Sequence, residues 1–397
     1  MNILMLSDVY FPRVNGVSTS IRTFRRELQR LGHEVCLLAP AYGPDDPAEP
    51  DLLRLPARGV VVDPEDRMLR TGPVWAHLPE LRARRFDLVH IQTPFVAHWL
   101  GVRLARALGV PTLETYHTFF EEYLFHYVPA LPRAWLRAAA RALSRRQCNA
   151  LDGLVVPSQA MLDVLRGYGV RTPARIIPTG LDRDTAAHGD GAAFRAAHGI
   201  DPRRPLLVHV GRVAHEKNID FLLHMLATLR RSHPQVLLVI AGEGPAAAHL
   251  RRLGERLGLG AHLLFVGYLE RERALPDCYC AGDAFVFASR TETQGLVLLE
   301  AMSLGVPVVS TAVMGTRDIV GPGVGALVAR EDPADFAAKV ARVLDDPALR
   351  ARLGAAARTH ARRWRADATA AALAGFYAAL AAGTVDATVP DAQEAGG

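Results

Sequence analysis

Short apolar runs alternate along this chain with longer stretches in which apolar residues recur every three or four positions. Asn2–Ser7 and Glu34–Ala39 read as strands. Between them, Val17–Leu31 carries Ile21, Phe24, Leu28 and Leu31 at helical spacing and is closed by Gly32. The alternation continues through a strand at Asp87–Ile91, a helix over Ala97–Leu108 and a strand at Pro111–Thr115. A long helix at Leu131–Ala150 follows, then strand Gly153–Pro157, helix Gln159–Tyr168 and strand Ala174–Ile177.

A second series starts at Pro205–Val210, with further strands at Val236–Ala241, His262–Gly267, Ala284–Ala288 and Val306–Ser310 and a short one at Gly325–Val328. Helices are predicted at Asp332–Leu344, Ala348–Arg363 and Ala366–Ala382. Strand–helix alternation of this kind builds parallel sheets covered by helices, so the expected class is α/β with doubly wound, Rossmann-like domains. At 397 residues the chain is too long for one ordinary core. We place a first domain at 1–178, a second at 179–365, and a terminal helix at 366–382 that packs back on the first. Pro178–Asp182 and the Ala/Gly-rich run to Gly199 read as the connecting linker, and 383–397 as a disordered tail.

Composition changes this picture little: half the residues are hydrophobic and 22 % are charged. No apolar run approaches the roughly 20 residues of a spanning helix, and Met1–Asp8 reads as a strand, not a signal peptide. The expected location is the cytoplasm. Four irregularly spaced cysteines suggest reduced structural thiols, with no disulfide framework or zinc site.

The placement of charge is more informative. Residues 1–178 hold 22 arginines, no lysine and 17 acidic residues, whereas 179–397 hold 24 basic and 24 acidic ones. A basic first half suits nucleic acid or an anionic membrane surface. Within it, Arg133, Arg137, Arg141 and Arg145 recur at i, i+4 on the helix over Leu131–Ala150, beside Trp135, Leu136 and Leu143. That is an interfacial-helix pattern, although a solvated surface helix would look the same.

Candidate chemistry lies in loops leaving the predicted strands. Gly16 ends the loop after the first strand, where backbone can approach a phosphate or simply turn. His117 follows the strand Pro111–Thr115, a place for ligand-facing groups as well as for a capped histidine. After Pro205–Val210, Gly211 precedes Arg212 and Lys217, a guanidinium and an ammonium in one loop that together suit a diphosphate. Lys217 is one of two lysines in the chain. Around Glu292 a strand, a polar loop and an apolar helix beginning near Gly295 place one carboxylate beside amides that favour anions, with Glu300 further along the helix.

Several alternatives fail on their signatures. Gly242-Glu-Gly-Pro245 lacks the third glycine of a dinucleotide fingerprint, and no Walker, His-Glu-x-x-His or Gly-x-Ser-x-Gly motif occurs. A glycosidase carboxylate pair would flank one bond, whereas Glu292 and Glu300 sit beside a cationic loop.

Taken together, Phe11-Pro-Arg-Val-Asn-Gly16, Tyr116-His-Thr118, Pro178-Thr-Gly-Leu-Asp182, Gly211-Arg212 through Glu216-Lys217-Asn218, Gly242-Glu-Gly-Pro245 and the pair Glu292 and Glu300 resemble the retaining, nucleotide-sugar-dependent glycosyltransferases of family 4. The resemblance implies the GT-B arrangement, two Rossmann-like domains facing a cleft. It further implies that Arg212 and Lys217 hold the diphosphate of a UDP- or GDP-linked donor with help from amides near Gly295, and that Glu243, Thr293, Gln294 and Leu296 line the donor site. Glu292 would serve the sugar, Glu300 the ribose hydroxyls, His117 the donor sugar and Gly16 the phosphates. Glu292 and His117 are the expected catalytic residues, and neither a metal nor a cofactor is demanded.

Two features, the Thr291–Val297 segment and the aromatic run from Tyr116 to Pro129, are similar to diacylglycerol glucosyltransferases and related mannosyltransferases. The expected acceptor is therefore a membrane lipid, with Tyr116, Arg133, Arg137, Arg141 and Arg145 on the acceptor and membrane side and no nucleic-acid partner. A soluble or polysaccharide acceptor, or a catalytically silent sugar-nucleotide-binding protein, are the alternatives.

Overall fold

The computed structural model describes residues 1–385 apart from 45, 47, 60–66, 118, 120–132 and 182–187, and it divides into two compact units. One comprises Met1–Gly180 together with the chain from Ala366 onward; the other is Leu181–Arg365. Most of the aromatic run up to Pro129, the Asp182 end of the expected linker and the tail beyond residue 385 lie outside the described residues.

The first unit is built on a sheet of β1 (Asn2–Leu6), β2 (Glu34–Pro40), β3 (Leu52–Leu55), β6 (Leu88–Ile91), β7 (Thr112–Thr115), β8 (Gly153–Val156) and β9 (Ala174–Ile176), preceded at β6 by a hairpin of β4 (Ala57–Gly59) and β5 (Arg67–Leu69). Its order is β3-β2-β1-β6-β7-β8-β9, with every pairing parallel. Ile3, Leu4, Met5 and Leu6 are all fully buried, as expected for a parallel strand covered on both faces. The hairpin and the short helices Thr71–Ala76 and Leu78–Ala83 had no counterpart among the predicted elements.

Helix Ala366–Ala381 belongs to this unit. Ala370, Leu373, Phe376, Tyr377 and Leu380 share one core with Ile3, Met5, Ile21, Phe24, Leu28 and Val155. A Cβ on Gly153 would sit 2.9 Å from Leu380, so the glycine in β8 makes room for this helix.

The second unit carries β10 (Leu206–Val210), β11 (Leu237–Ala241), β12 (Leu263–Gly267), β13 (Ala284–Phe287), β14 (Val308–Ser310) and β15 (Ala326–Val328) in the order β12-β11-β10-β13-β14-β15, again parallel. Separate apolar clusters cover its two faces. In each unit the strand order reverses once, between β1 and β6 and between β10 and β13. In such sheets the loops leaving the carboxyl ends of the strands on either side of a reversal diverge, and ligands usually bind between them.

One expectation is corrected. The run to Gly199 is not all linker: Asp190 caps a helix at Gly191–Ala197, accepting from the Ala193 amide at 2.9 Å. Phe194 is buried in the core of the second unit, and the buried Arg195 guanidinium donates to the carbonyls of Ala281, Asp201 and Arg204 at 3.0, 3.1 and 2.8 Å. The small residues that suggested flexibility permit contact instead, since a Cβ on Gly189 or Gly191 would overlap the carbonyls of Pro276 or Cys280.

Candidate functional site

In the second unit, β10 ends at Gly211, whose φ of 151° turns the chain sharply into Arg212. The chain then runs through a 3₁₀ turn at His215–Lys217 to Asn218, which adopts φ 55° ahead of helix Ile219–Leu229. Arg212 lies 3.6 Å from Glu216. The Lys217 ammonium reaches back to the loop after β13 and donates to the Glu292 carboxylate at 2.5 Å. Lys217 and Glu292, 75 residues apart in sequence, meet because β10 and β13 are neighbours at the strand-order reversal.

Burial works against ionisation of Glu292, but the Lys217 charge and its hydrogen bond hold the carboxyl below the usual carboxylate range. Beside this pair is His209, a fully buried ring in β10 that sequence reasoning passed over. Burial pulls its pKa down to about 4. The neutral ring donates from Nδ1 to the Val286 carbonyl at 3.1 Å, and Nε2 has no hydrogen-bond partner among the described residues. An ionisable residue in an otherwise apolar strand was the available signal.

The glycines of Gly242-Glu243-Gly244 do different work from a phosphate cradle. A Cβ on Gly242 would overlap the Gly211 carbonyl, and one on Gly244 the Val213 carbonyl. They let two loops touch, with Val213 N donating to Glu243 O at 2.9 Å. The Glu243 side chain faces the exit of β12, where Tyr268 N approaches its Oε1 at 3.4 Å.

Gly295, at φ 96°, caps helix Leu296–Ser303, whose first turn holds no acidic residue. The preceding Thr293 and Gln294 are braced by Gly315, which donates to the Glu292 carbonyl at 2.9 Å and has no room for a Cβ against Thr293. The amide end of a helix favours an anion. Glu300, one turn further, is 5 % exposed, and its two oxygens meet the Arg271 guanidinium and the Tyr279 hydroxyl, the latter at 2.8 Å. The expected ribose ligand is therefore already held in place by two donors that the motif did not reveal.

The first unit arranges its own residues around the other reversal. Asp8, after β1, accepts from Thr93 Oγ1 and Ala97 N, both at 2.9 Å, and burial pushes its pKa up to about 6. Gly16 opens helix Gly16–Arg30 behind the Asn15 cap, with open space where a Cβ would be. His117, just past β7, has its pKa drawn down to about 4 by burial. Its Nε2 lies 3.2 Å from Gln92 Oε1, and Gln92 Nε2 lies 3.1 Å from His90 Nδ1, which in turn is 2.6 Å from the Tyr377 hydroxyl. His90 Nε2 meets Thr115 Oγ1 at 2.7 Å. With the amide so oriented, Gln92 donates to His90 and accepts from a protonated Nε2 on His117.

Tyr116 does not take its expected place on the acceptor or membrane side. It is buried, with its hydroxyl 3.0 Å from Ser144 of helix Arg133–Cys148, because that helix lies over the end of β7. Arg137, Arg141 and Arg145 are exposed on the same helix and line an open groove with Gly167 and Tyr168, Arg141 lying 5.4 Å over the Tyr168 ring. Trp135 is 75 % exposed nearby. The Arg133 side chain lies outside the described residues. No helix among the described residues is long and apolar enough to cross a membrane.

Comparison with known proteins covers both units. Residues 14–185 match the family described as Glycosyltransferase Family 4, and 190–360 match Glycosyl transferases group 1. The chain is 32 % identical over 317 residues to the alpha-monoglucosyldiacylglycerol synthase of Streptococcus pneumoniae, covering 78 % of this chain and 71 % of that protein. It is 37 % identical over 309 residues to the D-inositol 3-phosphate glycosyltransferase 2 of Catenulispora acidiphila, with 74 % and 70 % covered. The crystal structure of Anabaena HepE in complex with UDP-glucose superposes with a TM-score of 0.77 at 18 % identity, over 96 % of this chain and all of that one.

Proposed function

We infer the reaction from one premise: the chain belongs to the group 1 and family 4 glycosyltransferases and is a hexosyltransferase. We propose that it moves a hexose, with retention at the anomeric carbon, from a UDP- or GDP-linked donor to a membrane glycerolipid. The observation that carries this reading is the Lys217–Glu292 contact at the β10/β13 reversal, beside Arg212 and the amides following Gly295. Departure of a nucleoside diphosphate puts negative charge on the leaving oxygens. Fixed cations and amides stabilise that charge more in the transition state than in the ground state.

In this reading Lys217 and Arg212 neutralise the diphosphate. Glu292, kept ionised by Lys217, faces the sugar and stabilises positive character at its anomeric carbon. Glu300 holds the ribose from a position set by Arg271 and Tyr279, while Glu243, Thr293, Gln294 and Leu296 line the donor. His117 contacts the donor sugar, and Gly16 leaves room for phosphate.

Similarity to a protein named for diacylglycerol supports the lipid acceptor, and so does the exposed Arg137–Arg141–Arg145 face with Trp135, which suits peripheral binding to an anionic surface at the inner face of the membrane. Similarity to a D-inositol 3-phosphate glycosyltransferase favours a second reading, a small soluble acceptor.

Radiolabelled UDP-glucose and GDP-mannose, each offered with diacylglycerol vesicles or inositol phosphate, test both. We expect label in the lipid phase with an α-linked product. Transfer to inositol phosphate alone, or unchanged vesicle binding and lipid transfer by Arg137/Arg141→Glu, would overturn the lipid reading.

A further inference from the structure

Three side chains outside the donor residues converge on one face of the second unit. His215 opens the 3₁₀ turn after β10, Asp220 lies in the first turn of helix Ile219–Leu229, and His249 lies in the first turn of helix Ala247–Arg256. Asp220 Oδ1 and His249 Nε2 are 2.5 Å apart, and the His215 ring centre lies 5.3 Å from that of His249. One ligand atom from each residue falls within 4.8 Å of the other two.

An aspartate–histidine hydrogen bond alone is an ordinary surface pair. The second imidazole, brought by a different loop to the same point, makes a three-ligand set. From this geometry we propose that His215, Asp220 and His249 bind a divalent transition-metal ion, zinc being the best fit.

Ligand chemistry supports the choice. Two imidazoles and one carboxylate form a borderline set that suits zinc and its neighbours, whereas magnesium and calcium demand oxygen-rich shells. Tetrahedral bonds of about 2.0–2.1 Å separate ligand atoms by roughly 3.3 Å. The close pair must open a little and His215 must swing inward. His215 is exposed and the other two are partly exposed, so side-chain rotation suffices and a water can fill the fourth position.

The ion would sit away from the reacting bond and perform no step in transfer. Its effect is mechanical. His215 is two residues before Lys217, and His249 follows the Gly242–Pro245 loop that packs on Gly211 and Val213. A metal there staples the loops after β10 and β11 to each other and fixes the turn that presents Lys217 to Glu292.

The test is titration of chelator-treated protein with Zn²⁺ or Mg²⁺, followed by calorimetry and thermal unfolding, on the parent and on the variants His215→Ala and His249→Gln. Both variants should fold, since neither side chain is buried. We expect one zinc per chain and a raised Tm for the parent, no response to Mg²⁺, and zinc affinity lowered at least about tenfold in each variant. Cobalt(II) absorbance distinguishes this site from the thiols, since bands without sulfur charge transfer are expected. Failure of the parent to bind zinc stoichiometrically, equal affinity in either variant, or a thiolate spectrum would overturn the assignment. Nucleotide-sugar transfer is measured separately, so the outcome does not depend on the proposed reaction.

Discussion

The two units share a parallel sheet with a single reversal of strand order, yet they treat the carboxylate at that reversal in opposite ways. In the second unit Glu292 is paired with Lys217 and held ionised below the usual range; in the first, Asp8 is buried among hydroxyl and amide donors and its pKa is pushed up to about 6. In the same unit the chain from Tyr377 through His90 and Gln92 to His117 runs through hydrogen bonds between neutral groups. One reversal is built from an ion pair, the other from oriented dipoles. The topology sets where a ligand goes, and the residues at the loop ends decide whether it meets charge or hydrogen-bonding direction.

Breaking the charged side should have the largest effect. Lys217→Ala leaves Glu292 without its cation and, in the proposed reaction, the diphosphate without one of its two. Turnover is expected to fall about 10²–10³-fold, the scale seen when one preorganised electrostatic group is removed. Steady-state transfer measures this, and calorimetry with the nucleoside diphosphate gives the accompanying loss of binding. Turnover within a few-fold of the parent would dissolve the contrast between the units.

Removing the far end of the neutral side should cost less. Tyr377→Phe takes away one buried hydrogen bond to His90, worth about 1–2 kcal/mol, and loosens the orientation of Gln92 and His117. The expected result is a modest drop in urea stability together with a kcat reduction that exceeds any change in KM. Unchanged kcat would confine the chain to a structural role.

Acidity should also separate the units. A raised pKa means that folded Asp8 retains a proton the unfolded chain would release. Its carboxyl therefore penalises folding above the unfolded value of about 3.8, and the penalty is relieved as pH falls through about 6. Glu292 has the opposite sign, its contribution being present above the unfolded value and lost as pH falls through the lowered folded one. Buried neutral His90, His117 and His209 lose stability on acidification in both units and form a common background. Asp8→Asn should remove a gain of about 1.4 kcal/mol per pH unit between roughly pH 6 and 4, read by hydrogen exchange in β1 and β6. Identical pH slopes in parent and variant would show that Asp8 ionises normally.

Much of this was legible in the chain. Runs such as Ile3–Leu6 and Leu206–Val210 announce buried parallel strands, and Gly211 with Arg212 and Lys217 marks a strand exit by local chemistry alone. What escaped notice depended on distant partners. Nothing near Glu300 points to Arg271 and Tyr279, nothing near His117 points to Tyr377, and Tyr116 looked accessible because the helix that covers it lies further along the chain. The run to Gly199 carries no local sign of its packing, because the carbonyls that Gly189 and Gly191 pack against come from residues 276 and 280.

Helix Ala366–Ala381 has a consequence for biosynthesis. A ribosome makes β1 first and this helix only after the whole of Leu181–Arg365, yet Phe376, Tyr377 and Leu380 close the same core as Ile3 and Met5. The earlier-made unit must therefore wait, with one face of its sheet only partly covered by helix Gly16–Arg30, while the later-made one can finish. A chain truncated after residue 365 would hold a complete second unit and an open first one, and that exposed face is where a chaperone would be expected to bind.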